Sequence, residues 1–434
     1  MRSKNMGEYK ERIVDKILDE TMEVFNAVNV VGPKGCGKTT TCKRRAKTIV
    51  EFQDEDKREG LLDIANASPS LLLKNEKPIL FDEWQDAPKI WGAIRKNCDD
   101  NPDDVGSFYL TGSSSKKVKT PHTGTLRISK VRMGPMSLYE LGLSNGEVSL
   151  SALFANPESF EGCKSDLDFE DIIDAICVGG WPRTLQQTAT KNKLRIAKDL
   201  YRQTYEEDIS HVDGKKRNPD WAQAILRSYA RNICTSADIK KIHADVSASY
   251  PIAESTFYDY LNALKELFII EDIDAWSPAI RSRSNIQSGK KRNLVDPSIA
   301  VAALGLSPEY FRGDFRTLGF LFESLCIRDL KVYSSEQNGT MSYYRDRYGL
   351  EADGVLHLED GRYALIEFKM GDDRVEQGAK HLLEIERLIK EHNKRIGNVA
   401  EIRTPDLKIV IKATGYGYRL GNGVFVIPIG CLRD

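Results

Sequence analysis

One short motif constrains this chain more than any other feature of its sequence. The pattern G-x-x-x-x-G-K-[ST] occupies residues 32–39, after an apolar run at 27–31 that predicts a buried strand and before a segment, 40–52, that predicts a helix. In that context the glycines let backbone N–H groups converge on phosphate oxygens. The predicted ligand-binding residues are Gly32, Pro33, Lys34, Gly35, Cys36, Gly37, Lys38, Thr39 and Thr40. The alternative is a glycine-rich turn that binds no ligand.

Two residues of this loop have specific expected roles, and a second segment complements them. Lys38 is expected to reach the β- and γ-phosphates of a nucleotide, and the hydroxyl of Thr39 is expected to bind Mg²⁺. An apolar strand predicted at 78–81 ends in Asp82 and Glu83. We expect Asp82 to hold the hydrated Mg²⁺ and Glu83 to orient and deprotonate an attacking water.

A third polar group follows the next predicted strand, at 108–111. Thr111 and Ser113 begin a cluster of glycine and hydroxyl residues after that strand. Either side chain is a candidate sensor of the γ-phosphate or of the attacking water. The alternative for the cluster is an ordinary loop.

Composition bounds the class of protein. With 434 residues the chain is too long for one core, and 41% hydrophobic with 29% charged residues is typical of a soluble globular protein. The net charge of −1 gives no global attraction to nucleic acid or to anionic membranes. No apolar run approaches the roughly 18 residues of a membrane span, and the N-terminus does not have the pattern of a signal peptide. We therefore expect a cytoplasmic protein without a membrane partner.

The eight cysteines are scattered and include no C-x-x-C pair, and the six histidines show no metal-ligand spacing. This distribution favours reduced thiols in a cytoplasm and argues against a zinc cluster.

Segments 32–40, 81–85 and 110–114 together resemble the AAA+ superfamily. They are most similar to a prokaryotic branch in which the ATPase domain precedes a poorly characterised C-terminal domain. That branch also has counterparts of segments 132–141 and 179–182. The resemblance implies ATP and Mg²⁺ as cofactors and hydrolysis of ATP.

Relatives in this superfamily commonly form rings that share an arginine between subunits, so a homo-oligomer is one implied arrangement. Arg127 is the candidate for that arginine, although the branch usually has Gly-Arg where this chain has Leu126-Arg127. Arg132 is the alternative, and either residue is otherwise a surface cation.

The predicted fold class is α/β with several domains. Alternating strands and helices predict a P-loop AAA+ domain with a mostly parallel sheet, and the helical pattern of 169–208, broken at 179–182, resembles the AAA+ lid. A winged-helix-like domain and a restriction-endonuclease-like α/β domain are expected to follow. The predicted segments are 1–150, 151–215, 216–300 and 301–434.

The winged-helix prediction depends on helices at 221–232, 236–245 and 254–268 and on a strand at 269–276. Such a domain either reads DNA through its third helix or packs against protein. Exposed acids at Glu254, Asp259 and Glu266 would repel phosphates, which favours protein packing. A basic run is the better candidate for contact with a nucleic-acid backbone, or is a solvated loop, and it consists of Arg281, Arg283, Lys290, Lys291 and Arg292.

Near the C-terminus, Asp353 and the sequence Glu367-Phe368-Lys369 resemble the PD-(D/E)XK pattern of restriction-endonuclease-like proteins. In that fold the Asp and Glu hold Mg²⁺ and the Lys steadies the attacking hydroxide. A helical acid upstream, here Glu323, assists. The resemblance implies a metal-dependent nuclease site or a degenerate domain that only binds nucleic acid or protein.

Hairpin geometry tests this assignment. A two-residue turn at 360–361 would place the carboxylates of Asp353 and Glu367 on opposite faces of the sheet. A three-residue loop at 359–361, with Gly361 in the left-handed conformation, would place Asp353 opposite Glu367. Two facing carboxylates need a compensating cation, which is either a metal or Lys369.

Three functions fit these observations. The first is an ATP-binding and ATP-hydrolysing AAA+ protein that couples nucleotide state to a nucleic-acid-associated module, with DNA ranked ahead of RNA. The second is an ATP-gated, metal-dependent nuclease. The third is a nucleotide-dependent switch or scaffold that recruits proteins.

Overall fold

A computed structural model gives the fold of four stretches of the chain, namely residues 9–112, 124–277, 289–396 and 401–434. The candidate sensor Ser113 and the basic residues Arg281 and Arg283 lie outside these described residues. No helix within the four stretches is long and apolar enough to cross a lipid bilayer.

The N-terminal part is a parallel sheet with helices on both faces. Its strands are β1 Ala27–Val31, β2 Thr48–Glu51, β3 Ile79–Asp82, β4 Phe108–Gly112 and β5 Ile128–Arg132. They lie in the order β2-β3-β4-β1-β5. The longer helices around them are α1 Ile13–Val24, α2 Lys38–Lys43, α3 Arg58–Ala67 and α4 Lys89–Asp100. The sheet and its strands at 27–31, 78–81 and 108–111 are confirmed to within one residue.

Alternate residues of β1 enter two separate apolar clusters, one on each face of the sheet. Val28 and Val30 pack with Leu18 of α1, whereas Ala27 packs with Ile90 of α4. Successive side chains of a strand point to opposite faces, and a parallel sheet is normally covered on both. This two-sided burial fixes the register of the strands, because a slip by one residue would exchange the faces.

The helix predicted over 40–52 is wrong in its extent. Helix α2 ends at Lys43, and Thr48–Glu51 forms the edge strand β2, which pairs in parallel with β3. The run Thr48-Ile49-Val50 is β-branched throughout, and such residues fit a pleated strand better than a helix. The tertiary pairing with β3 decides the conformation of this segment.

The chain between the two sheets is mainly helical, with a break at 179–182 as predicted. These helices are α5 Leu138–Leu141, α6 Leu150–Ala155, α7 Phe169–Val178, α8 Thr190–Gln203, α9 Ile209–His211, α10 Pro219–Arg231, α11 Ile239–Ser247, α12 Glu254–Glu266, α13 Pro297–Leu304 and α14 Pro308–Phe311. A π-helical turn, Thr204–Asp208, joins α8 to α9. The three helices of the predicted winged helix correspond to α10, α11 and α12.

The C-terminal part contains a mixed sheet between two long helices, α15 Phe315–Tyr333 and α16 Val375–Ile396. The strands outside the N-terminal sheet are β6 Val148–Ser149, β7 Cys163–Lys164, β8 Asp274–Ala275, β9 Thr340–Arg345, β10 Glu351–His357, β11 Tyr363–Lys369, β12 Leu407–Lys412, β13 Tyr416–Arg419, β14 Phe425–Pro428 and β15 Leu432–Arg433. The mixed sheet has the order β7-β13-β14-β12-β11-β10-β9-β8, and β15 pairs separately with β6.

Two edge strands of the C-terminal sheet come from other parts of the sequence. β7 precedes helix α7, and β8 is what remains of the strand predicted at 269–276, which joins β9 rather than forming a long wing. One apolar cluster also runs from Leu138 to Leu432 through the helices and the sheet. The segments predicted from 151 onward therefore share a core, and their bounds remain a prediction.

The three-residue hairpin loop is confirmed by the pairing of β10 with β11. Gly354 lies opposite Ile366 and His357 opposite Tyr363, which is the register that follows from the loop at 359–361. Gly361 has a φ of 86°, and the amide of Leu358 donates to the carbonyl of Arg362 at 2.8 Å. The same register directs Asp353 and Glu367 to one side of the sheet.

We predict that Arg328→Met destabilises the fold strongly. The Arg328 guanidinium is almost completely buried and pairs with Asp296 at 2.9 Å and Asp329 at 2.8 Å. Its removal leaves two buried carboxylates without a counter-charge, which typically costs about 3–5 kcal/mol. Thermal unfolding of purified variants measures the effect. Arg312→Met, which removes an exposed ion pair, is the control and is expected to change stability by less than about 1 kcal/mol.

Candidate functional site

The loop after β1 is held against the segment that directly follows β5. Gly32 lies so close to the backbone of Met133 that a Cβ atom at position 32 would be 1.9 Å from the Met133 carbonyl oxygen. The thiol of Cys36 donates to the same carbonyl at 3.4 Å. These contacts leave no room for a side chain at position 32, so the first glycine of the motif is required by packing.

Lys38 is folded back onto its own loop. Its buried ammonium donates to the carbonyl oxygens of Gly32 and Pro33, each at 2.9 Å. Carbonyl oxygens are neutral acceptors, and a phosphate oxygen would make a stronger, charge-assisted hydrogen bond with the ammonium. The loop therefore holds a cation ready at the place where the motif predicts the β- and γ-phosphates.

The carboxylate of Asp82 accepts hydrogen bonds from two hydroxyl groups. Thr39 donates to Asp82 Oδ1 at 2.7 Å, and the buried Thr111 donates to the same oxygen. Parallel register explains the meeting, because Thr111 is aligned with Asp82 of β3 and with Val30 of β1. The oxygen donors of Thr39 and Asp82 fit the ligand preference of Mg²⁺.

Glu83 follows Asp82 in a left-handed backbone conformation, with a φ of 53°. That conformation is uncommon for a residue with a side chain, and such residues cluster at active sites. The Glu83 carboxylate accepts a hydrogen bond from the side-chain amide of Gln85, and Glu83 lines the same cavity as Lys38. This arrangement places an acid beside the loop, as the sequence predicted.

A cavity of about 670 Å³ opens over the loop. This volume lies in the usual range for small-molecule and cofactor sites, about 300–1,000 Å³. Of the residues predicted from sequence, those that line it are Lys34, Gly35, Gly37, Lys38, Thr39, Thr40 and Glu83. The other lining residues are Tyr9, Lys10, Arg12, Thr41, Met136, Pro182, Arg183, Leu185 and Gln186. Gly32, Pro33 and Cys36 do not line the cavity and instead shape the loop.

Sequence reasoning missed Arg12, which organises the wall of this cavity. Its buried guanidinium donates to the carbonyl of Cys36 at 2.9 Å and to that of Gly134 at 3.0 Å, and it pairs with Glu140 at 3.0 Å. Arg12 precedes an amphipathic helix, and nothing in its local sequence distinguishes it from a surface cation. Only the fold reveals the contact.

Arg183 was also missed, although a signal was present. It follows directly on the break at 179–182, is exposed and lines the cavity. A cation immediately after a predicted lid motif is a candidate phosphate ligand. The helical region also contacts the loop through Lys34, whose ammonium pairs with Asp208 at 3.0 Å. Asp208 ends the π-helical turn, an element frequent at functional sites.

The two candidate arginines for subunit sharing lie elsewhere. Arg127 directly precedes β5, and the first residue of β5 is aligned with Ala27, the first residue of β1. Arg127 therefore lies at the end of the strands opposite the loop, where it pairs with Asp99 at 2.7 Å. Arg132 is at the loop end of β5 but pairs with Glu271 at 2.6 Å and lies over the ring of Phe268. Neither lines the cavity of its own chain.

A second cluster surrounds Asp353. Lys369 Nζ lies 3.2 Å from Asp353 Oδ2 and also contacts Glu367, and the backbone amide of Phe368 donates to Asp353 Oδ2 at 3.0 Å. His381, from α16, lies 3.4 Å from the other oxygen of Glu367 and was not anticipated from sequence. Asp353, Glu367 and Lys369 thus meet on one face of the sheet.

Glu323 does not complete this cluster as a third metal ligand. Among the described residues, its carboxylate forms no group with those of Asp353 and Glu367 in which all ligand oxygens lie within 4.8 Å. The ammonium of Lys291 binds Glu323 at 2.7 Å, Glu351 at 3.1 Å and the backbone carbonyl of Asp353 at 3.3 Å. The acid that the resemblance implied as an assistant is therefore paired with a buried lysine.

The interpretation of Lys291 and Arg292 as exposed backbone-binding residues is wrong. Lys291 is only 2% exposed, and Arg292 is buried against Asp272 at 3.0 Å. Lys290 is exposed but pairs with Asp274 at 2.7 Å. The sequence does not show whether the residues of a basic run are exposed or buried. Here the β-bridge between Ile273 and Lys291 turns the lysine inward.

Burial shapes the protonation of this second cluster. Burial and the neighbouring charge of Asp353 raise the pKa of Glu367 to about 8. Burial also works to raise the pKa of Asp353, but the charges of Lys291 and Lys369 outweigh it and lower that pKa. Burial raises the pKa of Glu323 to about 8. The carboxylates of Asp353 and Glu367 fit one divalent cation, provided that Glu367 releases its proton.

Comparisons with known proteins agree with the N-terminal geometry. Residues 24–142 match the family model described as AAA domain. Residues 169–310 and 318–432 match two models described as domains of unknown function, DUF8612 and DUF4143. No curated protein matches the chain. A solved Walker-type ATPase of Pyrococcus abyssi is similar over 67% of this chain and 94% of its own, at 15% identity and a TM-score of 0.42. The AAA match, the loop, Asp82 and the parallel sheet together support a P-loop ATPase domain of AAA type in residues 24–142.

We predict that Arg183→Ala weakens the binding of ATP more than that of AMP. A charge-assisted hydrogen bond from the guanidinium to a terminal phosphate is worth about 1.5 kcal/mol, so the Kd for ATP should rise roughly tenfold. Calorimetric titration measures both ligands. Arg202→Ala, which removes an exposed arginine of α8 that does not line the cavity, is the matched control. Equal effects on ATP and AMP would place Arg183 away from the β- and γ-phosphates.

Proposed function

We propose that this chain binds ATP with Mg²⁺, hydrolyses it, and couples its nucleotide state to an attached nucleic-acid-associated module. One observation carries the first part of the proposal. The Asp82 carboxylate is bound by the hydroxyls of Thr39 and Thr111 beside a cavity that Lys38 and Glu83 line. Lys38 would bind the phosphates, Thr39 and Asp82 would bind the metal, and Glu83 would bind the attacking water.

The loop residues would act mainly by positioning charge. Phosphate oxygens would replace the carbonyls of Gly32 and Pro33 as acceptors for the Lys38 ammonium. Thr39 and Asp82 would hold Mg²⁺, which neutralises charge on the β- and γ-phosphates. Thr111 would keep the Asp82 carboxylate oriented, because it donates to the oxygen that also binds Thr39.

Glu83 would serve as the general base. A carboxylate adjacent to the terminal phosphate can accept the proton of the attacking water, and such groups typically contribute about 10²–10⁴-fold in rate. Gln85 donates to this carboxylate and restrains its position. The left-handed backbone at Glu83 supports the same role, since it turns the side chain out of the line of β3.

Contacts from the loop to the rest of the chain support the coupling. Arg12 connects the carbonyl of Cys36 with Glu140, and Glu140 caps helix α5 through the amide of Ser137 at 2.8 Å. The next amide in that helix, of Leu138, donates to Asp329 of α15 at 3.0 Å. Movement of the loop on ATP binding would thus act directly on the helix that supports the C-terminal sheet.

Arg127, or the alternative Arg132, would contact the nucleotide only if it reached the site of a neighbouring subunit. Arg127 lies at the end of the strands opposite the loop of its own chain. A contact with a γ-phosphate would therefore have to be made in the site of a neighbouring chain. Such a role requires a homo-oligomer, and the mass of the ATP-bound protein in solution tests this. A monomer that hydrolyses ATP at the full rate would exclude it.

We predict distinct effects for two variants of the nucleotide site. Lys38→Ala should weaken ATP binding, because it removes the cation that meets the phosphates. Glu83→Gln should preserve binding and lower kcat by about 10²–10⁴-fold, because only water activation is lost. Calorimetry and phosphate release measure the two properties. Glu76→Gln, an exposed acid distant from the loop in the sequence, is the control, and hydrolysis by Glu83→Gln at the parent rate would exclude Glu83 as the base.

A second candidate function is metal-dependent nuclease activity at the C-terminal sheet. The meeting of Asp353, Glu367 and Lys369 on one face favours it. The carboxylates would hold the metal, and Lys369 would steady a hydroxide once released from them. The binding of Glu323 by Lys291 leaves this centre with fewer acids than the resemblance implied. A nucleotide-dependent scaffold would instead use the same domain only for packing.

We predict that Mn²⁺ binding at this centre strengthens as the pH rises toward about 8. The pKa of Glu367 is raised by burial, so below that pH the metal must displace a proton, and above it the site is ready. Calorimetry in a Lys38→Ala, Asp82→Asn background isolates the second site. Glu367→Gln should abolish both this binding and any Mn²⁺-dependent cleavage of DNA, while the control Glu359→Gln at the hairpin loop should retain both. Cleavage that survives in Glu367→Gln would exclude the nuclease function.

A further inference from the structure

Two cysteines and one glutamate from distant parts of the sequence converge beside the C-terminal sheet. The Sγ atoms of Cys163 and Cys431 and a carboxylate oxygen of Glu147 all lie within 4.8 Å of one another. Within the four described stretches, no other set of three His, Cys, Asp or Glu side chains meets this criterion. The arrangement lies outside both the nucleotide site and the centre at Asp353.

The backbone makes space for the first sulfur. Cys163 lies in β7, opposite Gly417 of β13. A Cβ atom at position 417 would come within 2.3 Å of Cys163 Sγ, so any side chain there would collide with the sulfur. Glycine at this strand position therefore permits the thiol to lie across the neighbouring strand.

The second sulfur is fixed relative to the glutamate by local pairing. Cys431 is fully buried and immediately precedes β15, which pairs in parallel with β6, and β6 begins one residue after Glu147. The amide of Asn145 also donates to the carbonyl of Gly430 at 2.9 Å. Segments on either side of the cluster are thus held together before any ligand enters.

Glu147 is exposed as a residue, yet its carboxylate is anchored. Glu147 Oε2 accepts a hydrogen bond from the backbone amide of Lys164 at 2.9 Å, next to Cys163 in the sequence. This hydrogen bond holds the carboxylate next to the strand that carries Cys163. The anchoring resembles the outer hydrogen bonds that orient carboxylates at metal centres.

Charge in the cluster favours a cation. The three converging groups are a carboxylate and two thiols, which a metal ion binds in their deprotonated forms. Anions held this close to one another are stabilised by a bound cation.

We propose that Cys163, Cys431 and Glu147 bind one Zn²⁺ ion, with the fourth position open to water. Two sulfurs and one oxygen suit a borderline-soft, tetrahedral ion, whereas Mg²⁺ and Ca²⁺ prefer oxygen donors alone. On binding, two Zn–S bonds form and the thiol protons pass to solvent, with no change in oxidation state. A disulfide would need an oxidant and would give Glu147 no part.

The ion would fasten the C-terminal end of the chain to the segment that follows the AAA-type domain. Cys431 precedes β15 near the C-terminus, whereas Glu147 and Cys163 flank helix α6. Short pairings, β6 with β15 and β7 with β13, already join these parts. Zinc would add ligand bonds at a junction where each strand pairing is only two residues long.

Cobalt(II) provides a probe that identifies thiolate ligands. The full chain is treated with chelator and reductant, freed of both, and titrated with Co²⁺ while the near-ultraviolet and visible spectra are recorded. We expect one equivalent to produce a thiolate-to-metal charge-transfer band and tetrahedral visible bands, which added Zn²⁺ removes. Cobalt bound at Asp82 or at Asp353 and Glu367 has no sulfur ligand and gives no such band.

Single variants assign the band to this cluster. Cys163→Ser and Cys431→Ser should each abolish it, Glu147→Gln should weaken binding, and Cys177→Ala, which removes a buried cysteine elsewhere, should leave it unchanged. Zn²⁺ should also raise the Tm of the parent chain and not that of Cys163→Ser. If Cys431→Ser fails to fold, Cys163→Ser and Glu147→Gln still decide the question.

Three outcomes would overturn the proposal. The first is a reduced parent chain that takes up Co²⁺ without a charge-transfer band. The second is a band that persists in Cys163→Ser. A Cys163–Cys431 disulfide found by mass spectrometry, together with no metal uptake after reduction, would replace the zinc site with a redox pair.

Discussion

A buried guanidinium between two carboxylates joins three parts of this chain. Arg328 of α15 binds Asp296 and Asp329, and both acids also accept hydrogen bonds from backbone amides. Asp296 accepts from Gly180 at 2.9 Å, beside the cavity wall, and Asp329 accepts from Leu138. Because all three side chains are buried, loss of the Arg328 guanidinium would leave two carboxylates without a counter-charge. The helix that supports the C-terminal sheet is thereby fixed to the rim of the nucleotide site.

The two polar centres differ in how their charges are balanced. At the nucleotide site, hydroxyls bind Asp82 while the Lys38 ammonium rests on neutral carbonyls, so both the anion and the cation are available to a ligand. At the C-terminal centre, ammonium groups already bind the acids, with Lys369 on Asp353 and Glu367. A ligand must therefore compete with internal ion pairs at the second centre but not at the first. This difference is why ATP hydrolysis leads the proposed functions.

Sequence patterns predicted local geometry well where one short-range rule decided it. Short apolar runs located the N-terminal strands, and the three-residue loop with Gly361 fixed the register that places Asp353 opposite Glu367. Patterns failed where a distant partner decided the outcome. Residues 48–51 became a strand because β3 lies beside them, and Lys291 turned inward because Glu323 and Glu351 offer it counter-charges.

The sequence alone determined the phosphate-binding loop, the acids after β3, and the hairpin that carries the second cluster. Each is written in contiguous residues whose spacing sets the geometry through strand periodicity or turn type. Tertiary structure alone decided the contacts of Arg12 and the meeting of Cys163 with Cys431, whereas the scattered cysteines had argued against a zinc cluster. Those contacts join residues far apart in the chain, and no local rule of spacing can bring them together. Their positions follow from how the helices and both sheets pack.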